Sequence, residues 1–212
     1  MKVRRLAIAL TVLAAFLSAI PTAASSQEQE VDGVTSFSGL GGASSLTIPG
    51  EPAFTTEGTD VIGTFTSSTT GEISFDVTGC HTTLFGMTST CRTAGSPLNN
   101  TVEFTGTFHM ITANNKPAML LTLNSYTMSG PFYSPLEIKG SLIGTVAAPA
   151  CNVASTEMRV SFAGTGSIQN DKLYTGVNYF LTVNTEGHSA VEASWTIELI
   201  LKSATSMKMT CQ

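Results

Sequence analysis

The fold can be read from Thr101-Val102-Glu103-Phe104-Thr105-Gly106-Thr107-Phe108-His109-Met110-Ile111. Val102, Phe104, Phe108 and Met110 share every second position with Gly106, while Glu103, Thr105, Thr107 and His109 fill the places between. Successive side chains of a strand point to opposite sides, so this period of two gathers the apolar groups on one face. A helix would spread the same residues around its circumference. The stretch is therefore a strand with one dry face and one wet face.

The same pattern recurs on both sides of it. Residues 60–66 and 73–77 alternate in this way around a Ser/Thr/Gly turn at 67–71, which predicts a hairpin. Residues 118–126 predict another strand. Leu136, Ile138, Leu142 and Val146 carry the next, and Met158, Val160 and Phe162 one more. Val177, Tyr179, Leu181 and Val183 follow, and then Val191, Ala193, Trp195, Ile197, Leu199 and Leu201. A short last strand runs through Met207 and Met209 to Cys211, and a first one lies near residues 44–48. Pro49-Gly50-Glu51-Pro52, Asn114-Asn115-Lys116-Pro117, Gln169-Asn170-Asp171-Lys172 and Glu186-Gly187 supply turn chemistry between them.

About eight to ten strands joined by short turns make an all-β, antiparallel up-and-down meander. A meander of that length hides its edges by closing into a single β-barrel, with a β-sandwich as the alternative. Gly106, Gly140, Gly144 and Gly164 on the inward face favour the barrel, because strongly coiled strands bend at glycine. The expected organisation is a signal peptide over 1–26, a flexible acidic and Gly-rich leader over 27–43, and one all-β domain over 44–212. Within the leader, Gly39-Leu40-Gly41-Gly42 lacks the Lys and Ser/Thr of a phosphate loop and reads as a flexible turn.

The N-terminus has the three parts of a secretion signal. Lys2, Arg4 and Arg5 precede an apolar run from 6 to 20, then Pro21 and the small residues Thr22, Ala23, Ala24, Ser25 and Ser26. The apolar run falls short of the roughly 20 residues of a membrane span, so the expected fate is release into an extracellular or periplasmic space. The whole chain carries 10 Lys and Arg against 15 Asp and Glu, and loss of the signal leaves 7 against 15, a net charge of −8. Such a surface repels phosphate backbones and argues against nucleic-acid binding. A transmembrane barrel would need aromatic girdles at both interfaces, and the chain has four Tyr and one Trp.

Cys80, Cys91, Cys151 and Cys211 allow three pairings in an oxidising compartment. The preferred one joins Cys80 to Cys91 across a short Thr/Gly-rich stretch and leaves Cys151 for Cys211. No Cys-x-x-Cys pair and no His at ligand spacing indicate a zinc site, and no acidic loop has calcium-binding density. No metal or other cofactor is expected.

Catalytic signals are sparse. There is no Gly-x-Ser-x-Gly elbow, and His81, His109 and His188 read as surface or loop residues, His81 beside Cys80 being the best placed. Asp76, Glu103, Glu137, Glu157, Glu192 and Glu198 sit on polar strand faces and read as solubilising charges. The set with most to offer is apolar: Phe75, Phe104, Phe108, Phe162, Tyr179 and Trp195 face inward. Residues of this kind either fill a small barrel or line a cavity for one small apolar ligand.

Phe75-Asp76-Val77-Thr78-Gly79-Cys80, Cys91-Arg92-Thr93, the run from Gly140 to Val146, Cys151-Asn152, and Phe162 through Gly166 to Gln169 resemble a group of secreted β-rich proteins common in actinobacteria. That resemblance implies secretion and the fold class only. The resulting expectation is a secreted, non-catalytic β-barrel that binds a small apolar ligand. The alternative is a structural or interaction protein of the cell envelope without a ligand, its partner an envelope component, and a hydrolase ranks behind both.

Overall fold

Each alternating strand carries an apolar stripe that must leave water, and closing the sheet into a ring buries all the stripes at once. The computed structural model describes residues 28–113, 116–131, 133–163, 180–185 and 190–210. The expected signal over 1–26, together with Tyr179, His188 and Cys211, lies outside the described residues. The strands are β1 (Glu30–Asp32), β2 (Ser36–Gly41), β3 (Ser44–Thr47), β4 (Phe54–Thr56), β5 (Gly58–Phe65), β6 (Thr70–Thr78) and β7 (His81–Leu84). They continue with β8 (Met87–Thr90), β9 (Arg92–Thr93), β10 (Thr101–Ala113), β11 (Lys116–Gly130), β12 (Tyr133–Ala148), β13 (Ala154–Phe162), β14 (Leu181–Thr185) and β15 (Val191–Thr210).

Eight of these form a closed antiparallel barrel in the order β2-β5-β6-β10-β11-β12-β13-β15. β15 closes the ring by pairing with β13 on one side and β2 on the other, as at Val160↔Leu199 and Leu40↔Ile200. The up-and-down barrel read from the alternation is the observed fold. Ser67 builds one of its turns: its hydroxyl accepts hydrogen bonds from the Thr69 and Thr70 amides at 3.2 and 3.0 Å.

The strands outside this circuit prolong it at one end. β3 lies along β15 just beyond β2, as at Leu46↔Trp195, and β4 lies along β3 just ahead of β5. β7 continues β6 and pairs with β4 and with β8. β9 follows β8 after a single residue and pairs with β11, and β14 fills the place of β13 between β12 and β15. The pairings thus go once around a second, upper tier.

At the opposite end the wall tapers. β1 keeps β2's register along β15, as at Val31↔Met209 and Leu40↔Ile200, and passes beneath the β5–β6 turn. The Gln29 amide donates to the Met110 carbonyl at 3.0 Å, and the Val31 amide donates to that of Ser68 at 2.8 Å. Buried Val31, Met110, Met207 and Met209 close this floor. The expectation of a flexible leader over 27–43 therefore meets a different structure, because β1 and β2 are part of the wall. Their alternation is masked in the sequence by Gly39 and Gly41, which are staves and not a turn. A Cβ on Gly39 would run into the backbone of Ile200 and Leu201, so the barrel wall requires glycine there.

Cys80 and Cys91 form the expected disulfide, with Cα atoms 5.1 Å apart and both residues buried where the two tiers meet. Cys151 is also disulfide-bonded. Replacing Cys80 and Cys91 together by Ala is expected to lower stability by about 3 kcal/mol, from the entropy of the short loop they close. Urea unfolding of the double variant beside the unaltered protein measures it.

Gly63 has a second kind of necessity. The ring of Phe37 lies where its Cβ would be, and Phe37 in turn packs on Phe65 and Phe108 at 5.8 and 5.6 Å between centroids. Gly63→Val suits a strand locally but displaces that ring, and is expected to cost about 1–3 kcal/mol. The same unfolding measurement should show part of the loss recovered when Phe37→Leu is added.

Candidate ligand pocket at the barrel mouth

The inward aromatic residues meet one another in the middle of the barrel. Phe75 stacks on Phe104 at 4.8 Å, and Phe104 stacks on Tyr126 at 4.7 Å. Trp195 meets Phe75 and Phe104 edge-on at 5.5 and 5.4 Å, and the Phe162 ring lies nearly parallel to it 6.5 Å away. Phe108 belongs to the lower group with Phe37 and Phe65. Thus Phe75, Phe104, Phe108, Phe162 and Trp195 are all inside, as their alternation predicts, and each is buried. A void of about 30 Å³ lies among them, bordered by Leu46, Phe104, Leu123 and Trp195. Sites for drug-sized ligands measure roughly 300–1,000 Å³. These side chains fill the barrel.

A polar chain anchors the indole. Trp195 Nε1 donates to Ser44 Oγ at 3.0 Å, and Ser44 Oγ shares a 2.7 Å hydrogen bond with Thr56 Oγ1. The Ser44 amide also donates to Thr56 Oγ1, at 3.2 Å. A buried indole N–H left without a partner would cost about 1–3 kcal/mol, so Ser44 and Thr56 fix the rotamer of Trp195. The alternation marks Trp195 as inward; nothing in the spacing marks the two hydroxyls as its partners.

Above this packed middle the upper tier opens. A cavity of about 220 Å³ lies at the mouth, walled by Ile48, Pro52, Phe54, Leu84, Tyr133 and Leu136. Thr82, Ser134 and Thr185 add hydroxyls, and Glu51 is the one charged residue among the described lining. Phe54 borders both this cavity and the small void below, and the Tyr133 ring meets it edge-on at 5.2 Å. Burial pushes the Tyr133 phenol well above its ordinary pKa, so it stays protonated, and its hydroxyl has no hydrogen-bond partner among the described residues. Thr82 is held in place by donating to the Ala53 carbonyl at 3.0 Å. The mouth suits one short apolar chain or ring, with hydroxyls at hand for a polar end.

None of the described residues weighed for catalysis lines this cavity. His81 is bound at both nitrogens: Nδ1 donates to the Gly79 carbonyl at 2.8 Å, which leaves Nε2 to accept from Thr55 Oγ1 at 3.0 Å. His109 stands on the outer face with its Nε2 3.4 Å from Glu28 Oε1. Hydrogen bonds from Ser125 and then Asn184, and the charge of Lys139, hold the exposed Glu137 carboxyl below its usual range. Among the described residues, no group of three or more His, Cys, Asp and Glu is placed to hold a metal ion.

The ladder register does bring three carboxylates into one outer row. Asp76 lies between Asp60 on β5 and Glu103 on β10. Partial desolvation first, then Glu103 and Asp60, raise the Asp76 pKa above its ordinary value of 3.8. A raised carboxyl pKa means that ionised Asp76 costs stability above the folded-state pKa and costs nothing below the unfolded one. Asp76→Asn is therefore expected to be more stable than the unaltered protein at neutral pH, with the gain vanishing below about pH 4. Urea midpoints across acid to neutral pH check this.

Comparison with known proteins finds no matching family model, no matching curated protein and no matching solved structure.

Proposed function

We propose that the chain is a secreted, non-catalytic β-barrel protein that holds one small apolar ligand in the mouth of the upper tier. The observation that carries this reading is the cavity of about 220 Å³, apolar-walled, above an interior that its own aromatic rings fill. The site moves accordingly from the inward aromatics of the sequence reading to the rim above them. The Cys80–Cys91 disulfide fits an oxidising compartment, and the N-terminal signal pattern supports export. Outward positions of β6 and β10 are Glu72, Ser74, Asp76, Glu103, Thr105 and Thr107, which suits a wall facing water and not lipid.

A neutral, environment-sensitive probe tests it. N-phenyl-1-naphthylamine titrated into the processed chain should gain fluorescence saturably with one site per molecule. Leu84→Trp and Thr185→Trp place bulk in the mouth at half-buried positions and should weaken binding at least about tenfold, a change of 1.4 kcal/mol. No saturable binding, or undiminished binding by both variants with intact circular dichroism, defeats the proposal.

A further inference from the structure

Three large apolar side chains that remain exposed lie together on the outer wall. Leu40 and Ile62 are each 64% exposed and Ile200 is 37% exposed. In the ladders, Ile200 stands opposite Leu40, which stands opposite Asp60. One step along, Lys202 stands opposite Ser38, which stands opposite Ile62. The face is thus two short rows across β15, β2 and β5: Ile200, Leu40, Asp60 and Lys202, Ser38, Ile62. Small Ser38 leaves a depression of about 430 Å³ among them. Scattered single apolar residues are ordinary on a surface, but a contiguous set rimmed by charge marks an interaction site.

The charges occupy opposite corners. Asp60 and Lys202 are exposed, and neither forms an ion pair with a described residue. The apolar residues run along the other diagonal, Ile200 to Leu40 to Ile62. That arrangement is self-complementary. Neighbouring strands are about 4.8 Å apart and alternate residues about 6.8 Å apart. A two-fold axis laid in the contact plane along the apolar diagonal sets each of the three side chains within about 4 Å, measured across the face, of its own copy. The same rotation sets Lys202 opposite the partner's Asp60, and Asp60 opposite the partner's Lys202.

We propose that this face seats a second copy of the chain, in an isologous dimer through β15, β2 and β5. An extra strand cannot add here, since the backbone of all three is already paired within the barrel; the contact is made by side chains, face to face. Three exposed side chains on a convex wall supply less than the roughly 800 Å² per partner of a standard stable interface. The dimer is consequently weak and concentration-dependent. It leaves the mouth pocket of each copy open at the end of its barrel, so ligand binding and dimer formation are separable.

Sedimentation equilibrium of the processed chain from micromolar to millimolar concentration tests the proposal. The expected result is a reversible monomer–dimer equilibrium. Leu40→Glu should weaken it at least about tenfold by burying two like charges at the axis. Asp60→Lys should weaken it about threefold, and Asp60→Lys combined with Lys202→Asp should restore it, because the corner pairs re-form with reversed sign. A chain that stays monomeric throughout, or a dimer that tolerates Leu40→Glu, overturns the assignment, as does a charge swap that fails to restore it. The swapped pair lies on exposed side chains, which keeps the test available if Leu40→Glu does not fold; circular dichroism reports folding for each variant.

Discussion

The double pairing of β15 holds the barrel shut. Its backbone meets β13 on one edge and β2 on the other, so the last strand of the chain seals the first to the remainder. An up-and-down meander without that seal would expose two long unpaired edges and its apolar face to water. With the seal in place, alternate residues from every stave converge inside, and Leu199, Leu201, Met207 and Met209 lie buried along one strand. The same strand runs the length of the molecule, from the upper tier past the barrel to the floor. It sets the register of both extensions.

Closure also divides the interior by size of side chain. In the middle, Phe75, Phe104, Tyr126 and Trp195 press ring on ring, and the remaining void is the size of a water molecule or two. Toward the mouth the wall is completed by the short strands β3, β4, β7 and β8, and Phe54 on β4 meets Tyr133 on β12 across the opening. The cavity sits at the rim above the aromatic centre. Phe54 forms the partition between the two. The cavity in this position has packed rings beneath it and opens to solvent above.

The outer face follows a different rule from the inner one. Its hydroxyls and carboxylates need no partners, since water serves them, and most strands obey that pattern. Leu40, Ile62 and Ile200 depart from it at one place, where three strands happen to bring them side by side. Each is unremarkable in the sequence, separated from the others by 20 residues or more. The acidic row of Asp60, Asp76 and Glu103 arises in the same way, from register and not from any local cluster.

Adjacent residues alone carried the strand character of the chain, its antiparallel meander, and the inward direction of Phe75, Phe104, Phe108, Phe162 and Trp195, while closure into a barrel and not a sandwich came from the pairing of β15 with β13 and β2. Local alternation suffices for the former, because the period of a strand is written in adjacent residues. The sequence also paired Cys80 with Cys91, a short loop being the easiest to close. Tertiary structure decided the rest: that residues 30–41 belong to the wall, that Ser44 and Thr56 hold Trp195, that the aromatics exhaust the interior, and that the open space lies at the mouth. The reason is that strand direction is local, whereas empty volume and the neighbours of an outward residue depend on ring closure and on the register between strands far apart in the chain.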